Sequence, residues 1–166
     1  MNVDKLTLER IQSLHPNVRD NVTNLYNKIC EALTGRAVCR FSYTLRTFEE
    51  QAALYAQGRT TPGKIVTNAK PGQSFHNYGL AFDVVLIIDG KTASWDMLKD
   101  FDGDKVADWM EVVNICKLYG WKWGGDFKSF KDYPHFEKTF GLNWPEMKAR
   151  YDAGHFVSHS PYIILK

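Results

Sequence analysis

The chain has 166 residues, 44% of them hydrophobic and 24% charged, a composition that suits one globular domain and excludes a disordered chain. A net charge of +2, with no clustered Lys/Arg, gives no footprint for nucleic acid. The longest apolar run, Val84 to Ile88, is far too short to span a bilayer, so no membrane insertion is expected.

The N-terminal stretch MNVDKLTLERIQ has no apolar segment and no small-residue cleavage site, so no export signal is expected. Residues 5–14 read as a short helix with Leu8, Ile11 and Leu14 on one side. A second helix is expected from Pro16 to about Leu33, because Val18, Val22, Leu25, Ile29 and Leu33 recur every three or four residues. Gly35 then ends it. AVCRFSY, 37–43, alternates and is rich in β formers, so it reads as a strand. Thr47-Phe-Glu-Glu50 forms a capping box ahead of a helix running to about Gln57. Residues 58–73 hold two Pro-Gly pairs and read as loop.

LAFDVVLII, 80–88, reads as a strongly buried strand, followed by a loop over 89–104. KVADWMEVVNICKLYG predicts a helix with Val106, Trp109, Met110, Val113 and Cys116 facing inward and Gly120 closing it. WKWGGD and PHFEKT read as strand, turn and strand. NWPEMKARYDAG is the last helix, with Asn143 as N-cap and Glu146 three residues on. Helices flank strands without regular alternation. The expected class is α+β, a small and mostly antiparallel sheet flanked by helices in a single domain, 1–166. N-terminal helices at 5–33 and a C-terminal helix and tail at 143–166 bracket a core of about 37–140, and a monomer is expected. Cys30, Cys39 and Cys116 are odd in number and widely spaced in apolar segments, which points to buried, reduced thiols and excludes a cysteine-rich metal site.

The chemistry concentrates in two stretches. SFHNYGLAFD places His76 in a turn and Asp83 in an otherwise apolar strand, with Gly79 between them. An unpaired carboxylate in such a strand is costly, so Asp83 calls for an arginine, a set of N–H donors or a metal. KDYPHFE offers a further imidazole, His135, with Asp132 three residues earlier and Pro134 stiffening the link. Two imidazoles and one carboxylate suit an open catalytic zinc site, and a nearby free acid suits a general base. Asp126 in WGGDF is a rival for that base, although a Gly-Gly turn makes aspartate a natural turn residue. His155 and His159 have the i, i+4 spacing of a helical metal pair but lack a carboxylate partner.

A separate acidic stretch, DFDGDKVADWME, puts Asp100, Asp102, Asp104 and Glu111 at positions 1, 3, 5 and 12 of a calcium-loop frame. The frame's sixth position, normally glycine, is Lys105. The alternative is a solvated acidic loop at the start of the following helix, where the macrodipole favours negative charge.

The two histidine-bearing stretches resemble the zinc D,D-/L,D-peptidases that cut bacterial peptidoglycan peptides. That family's pattern is Ser-x-His-x-x-Gly-x-Ala-x-Asp, then Glu- or Asp-x-x-His. Ser74, His76, Gly79, Ala81, Asp83, Asp132 and His135 match it in order. LRTFEEQAALYAQGRT and WGGDF resemble the phage endolysin branch, the L-alanyl-D-glutamate peptidases, and the likeness spans roughly residues 43–137. Many members carry Glu at the position of Asp132; the endolysin branch also uses Asp. The resemblance implies Zn2+ held by His76, Asp83 and His135, Asp132 as the proton-transferring base, and Arg46 as oxyanion stabiliser or substrate clamp. Ser74, Tyr78 and Trp123 would meet the substrate. It further implies peptidoglycan as partner and accumulation in the host cytoplasm until release to the wall. Two alternatives are a D-alanyl-D-alanine dipeptidase or carboxypeptidase and a non-catalytic, zinc-stabilised binding module.

Overall fold

In the computed structural model, which covers residues 1–166, the chain runs through α1 (Lys5–Ile11), α2 (Arg19–Ala32), β1 (Ala37–Tyr43), α3 (Phe48–Ala56), a 3-10 turn (Phe75–Tyr78), β2 (Ala81–Ile88), β3 (Thr92–Ser94), α4 (Asp108–Leu118), β4 (Lys122–Trp123), a second 3-10 turn (Gly124–Asp126), β5 (His135–Glu137) and α5 (Trp144–Asp152). The sheet order is β1-β2-β5-β4, with β3 paired to the distal part of β2, and every pairing is antiparallel.

Alternation along β2 explains why this strand is central. Phe82, Val84, Leu86 and Ile88 enter the apolar core, where Phe82 stacks on Phe41 at 4.3 Å and on Phe136 at 5.4 Å. Val22, Leu25, Tyr26 and Ile29 of α2 and Trp109, Val112, Val113 and Cys116 of α4 bury their apolar stripes in the same core. The opposite phase of β2 carries Asp83.

Local signals place the helix starts. Asp4 caps α1 by accepting from Thr7 N, and Thr47 caps α3 by accepting from Glu50 N. Asn143 and Glu146 form the reciprocal capping box of α5. The three cysteines are buried and unpaired. No helix is long and apolar enough to cross a membrane.

Several boundaries differ from the sequence reading. The first helix stops at Ile11, with Leu14 buried in the turn that follows and Leu8 turned to solvent. The second begins at Arg19 rather than Pro16, because His15–Val18 makes a turn closed by Val18 N–H to the His15 carbonyl. The fourth helix begins at Asp108, not Lys105. Asp100, Asp102 and Asp104 accept backbone N–H groups of residues 102–106 and hold that stretch as a loop, leaving Val106 exposed. The expected loop over 89–104 also contains β3, an edge strand too short to show periodicity.

Candidate active site

Sheet register brings the site together. Asp83 and His135 are direct Cα partners across β2 and β5, while their neighbours Phe82 and Phe136 pair on the core face. His76 arrives from the 3-10 turn just before β2. Ser74 caps that turn, with a reciprocal box to Asn77, and Gly79 closes it at φ 70°. Gly79 is required on two counts: its backbone is left-handed, and a Cβ there would lie 2.6 Å from His15 N.

The three predicted ligands converge. His76 Nε2 lies 3.2 Å from Asp83 Oδ1, and His135 Nδ1 lies 3.1 Å from the same oxygen. The far nitrogen of each ring is held by an acceptor: His76 Nδ1 by the Thr44 carbonyl at 2.8 Å, His135 Nε2 by Glu137 Oε1 at 2.7 Å. A carbonyl and a carboxylate accept only, so those nitrogens carry the protons. In neutral rings, the lone pairs of His76 Nε2 and His135 Nδ1 then both face an anionic oxygen. Only a cation resolves that repulsion, either an extra proton on each ring or a metal ion. Donors around a tetrahedral zinc stand about 3.3–3.6 Å from one another, close to the spacing here. The donor set therefore fits a divalent metal, with both rings oriented by the outer acceptors such sites need.

Electrostatics point the same way. Burial works to raise the Asp83 pKa, but hydrogen bonds from His135 and His76 outweigh it and hold the group well below the usual carboxylate range. Burial works to lower the His135 pKa, but Asp83 and Glu137 outweigh it and raise it to about 9. The pocket thus favours positive charge.

These residues open onto a cleft of about 650 Å³ lined by Tyr43, Arg46, Ser74, His76, Asp83, Asp132, His135 and Glu137 among others. Desolvation pushes the Asp132 pKa up, and Asp83 adds to it, against the pull of His135, His76 and Arg46. A raised carboxyl pKa suits a group that takes up and returns a proton. The WGG turn positions Asp132: its N–H donates to the Gly124 carbonyl at 3.0 Å, and a Cβ at Gly124 would collide with the Asp132 backbone. Arg46 donates to Gln51 Oε1 at 3.1 Å, and buried Gln51 donates in turn to the Ala69 carbonyl at 2.8 Å. Asn77 Nδ2 donates to the Arg46 carbonyl at 3.0 Å.

Two expected substrate contacts do not face the cleft. Tyr78 is buried in the core, its hydroxyl donating to the Gly72 carbonyl at 2.6 Å. Trp123 is also buried, donates to the Tyr133 carbonyl at 2.7 Å, and lines a separate hollow beside Lys117 and Phe127. Both are large apolar surfaces whose polar tips find a backbone partner inside. Ser74 does line the cleft, although its hydroxyl accepts from His76 N and so also braces the turn. Asp126 pairs with Lys117 at 2.7 Å outside the cleft. His155 and His159 are exposed and join no metal-capable group.

Sequence reading missed Glu137, Tyr43 and the Thr44 carbonyl. Period-two spacing flags Glu137, which shares a strand face with His135. Tyr43 follows from its place at the end of β1, where the pairing register shifts beside Asp83. The carbonyl has no sequence signal.

Residues 67–138 match the family described as D-alanyl-D-alanine carboxypeptidase. Over 124 residues the chain is 48% identical to the peptidoglycan L-alanyl-D-glutamate endopeptidase CwlK of Bacillus subtilis (strain 168), an alignment covering 75% of this chain and 72% of that protein. It is 33% identical over 97 residues to the L-alanyl-D-glutamate peptidase of Listeria phage A118, covering 58% of this chain but 29% of the phage protein. Among solved structures, the Serratia marcescens L-Ala D-Glu endopeptidase ChiX superposes with a TM-score of 0.54 at 22% identity, over 84% of this chain and 91% of its own. At that identity the likeness shows a shared fold.

Proposed function

The chain is a metallopeptidase of the D,D-/L,D-peptidase family of peptidoglycan hydrolases, and on that premise we propose that it is a zinc enzyme cleaving the L-alanyl-D-glutamate amide of wall stem peptides. One observation carries the hydrolytic reading: two imidazoles and a carboxylate converge at the floor of an open cleft beside an unpaired acid, Asp132. The choice of bond is supported by the 48% identity to CwlK.

His76, Asp83 and His135 hold Zn2+ in this reading. Bound there, zinc lowers the pKa of water toward neutrality and polarises the scissile carbonyl. Asp132 takes the proton of the attacking water and returns it to the leaving amine. Arg46, steadied by Gln51, offers fixed N–H donors where negative charge develops on the carbonyl oxygen. Tyr43 and Ser74 line the cleft on which the stem peptide lies. The likeness to the Listeria phage enzyme supports a role as a phage-type endolysin; in this proposal the chain is a monomer held in the host cytoplasm until it reaches the wall.

A D-alanyl-D-alanine carboxypeptidase is the second reading, favoured by the family description matched over residues 67–138. Digestion of purified peptidoglycan, with new termini identified by mass spectrometry, separates the two. A free L-alanine carboxyl and a free D-glutamate amine are expected. Release of D-alanine alone overturns the assignment of the bond. Metal analysis of the purified chain tests for zinc.

A further inference from the structure

Outside the cleft, the loop between β3 and α4 and the first turn of α4 together gather five acids. Oxygens of Asp100, Asp102 and Asp108 lie within 4.8 Å of one another, as do oxygens of Asp102, Asp104 and Glu111. None of these side chains pairs with a lysine or arginine; the chain's ion pairs all lie elsewhere. An acidic loop alone is ordinary. Asp108 is not: it is fully buried, its Oδ1 accepts from Phe101 N at 2.6 Å, and its Oδ2 has no hydrogen-bond partner. Glu111 likewise holds a solvent-inaccessible Oε2 without a partner, one turn further into α4. Two orphaned carboxylate oxygens directed into an acidic cluster call for a cation.

We propose that residues 100–111 form a calcium site. The frame read from the sequence had four acids; the structure adds Asp108 at its ninth position. Oxygen-only donors and no imidazole or thiolate select a hard cation over zinc. Lys105, at the sixth position, takes φ 78°, the left-handed conformation that glycine supplies in such loops. Asp102 also accepts from Thr34 N and Oγ1 at 3.1 and 3.3 Å, tying the loop to the end of α2. None of these residues lines the cleft, so the ion acts on the stability of the α2–α4 layer rather than on the chemistry.

The test uses the full chain, zinc-loaded and then desalted into calcium-free buffer, titrated with CaCl2 by calorimetry and followed by thermal melting. One Ca2+ per chain is expected, with Kd between about 0.1 µM and 1 mM, and a higher Tm. Asp108→Asn and Glu111→Gln should each weaken binding at least about tenfold, as buried-oxygen ligands of such a loop. Should either fail to fold, Asp104→Ala, at an exposed residue, should give the same weakening. His76→Ala should bind calcium like the parent, which separates this site from the zinc site. Absence of both saturable heat and a Tm rise up to about 10 mM Ca2+, above the weakest natural range, overturns the proposal. So does an unchanged calcium response in Asp104→Ala.

Discussion

Asp83 and His135 face each other across β2 and β5, and Asp83 Oδ1 stands 3.1 Å from His135 Nδ1. Antiparallel register therefore does what fifty residues of intervening chain cannot: it fixes a carboxylate and an imidazole on one face of one sheet. His76 joins from the capped turn that leads into β2, so the three donors are carried by β2, its leading turn and the strand paired with it.

Replacing Asp83 by Asn keeps the side-chain volume and removes the anion that both rings face. The Asp83→Asn chain should lose most of its zinc, and His76→Ala should lose zinc and activity together. Metal content after dialysis, read beside wall-lysis rate, checks this. Full zinc occupancy in both variants would remove these residues from the metal site.

Glu137 accepts from His135 Nε2 at 2.7 Å and fixes which nitrogen faces the cleft. Glu137→Gln retains an acceptor but drops the charge; Glu137→Ala drops both. Zinc affinity should fall by about 10–100-fold in Glu137→Ala and less in Glu137→Gln. The parent chain's affinity should also climb as pH rises toward 9, because zinc must displace the proton that Asp83 and Glu137 hold on His135. A competition titration with a zinc-binding dye across pH reads both effects.

Most of this site is legible in the sequence. Asp83 interrupts an apolar strand, and such a charge must be compensated, which led to His76 and His135. The strand at 37–43 and the capped starts of α3 and α5 follow from local patterns that tertiary packing did not override. What stayed hidden depends on three-dimensional proximity. The Thr44 carbonyl is a backbone atom with no side-chain signal. Tyr78 and Trp123 read as cleft aromatics because an aromatic ring near a motif fits a core or a groove equally well; the core claimed both. The sequence reading starts α4 three residues early because Val106 keeps the apolar spacing of Trp109, Met110 and Val113, while carboxylate–backbone bonds hold Lys105 and Val106 out of the helix.

Asp4 links acid stability to the N-terminal fold. It caps α1, accepts from Thr7 and pairs with Arg40 at 2.9 Å. Burial works to raise its pKa, but Arg40 and Thr7 outweigh that and leave it below the usual 3.8. A depressed carboxyl contributes stability above the unfolded-state value, and that contribution is lost as pH falls through the folded one. Asp4→Ala should cost about 1–2 kcal/mol at neutral pH. The gap between parent and variant should narrow as pH drops below 3.8, measured by urea unfolding at a series of pH values. A gap that does not change with pH would mean that Asp4 acts through shape alone.

Substitution at Asp132 is expected to separate metal binding from chemistry. It lies three residues before His135 on a loop held by the WGG turn, lines the cleft, and makes no contact with Asp83 that would enlist it as a ligand. Its removal should therefore leave zinc in place. Asp132→Ala should keep full metal content and lose about 10²–10⁴-fold in kcat, the range of a general base. Asp132→Glu restores the carboxyl one methylene further out and should recover part of the rate. The acidic limb of the kcat profile should vanish in Asp132→Ala, since the group whose ionisation it reports is gone. Loss of zinc on Asp132→Ala would instead make this residue a ligand, and an unchanged rate would move the base elsewhere in the cleft.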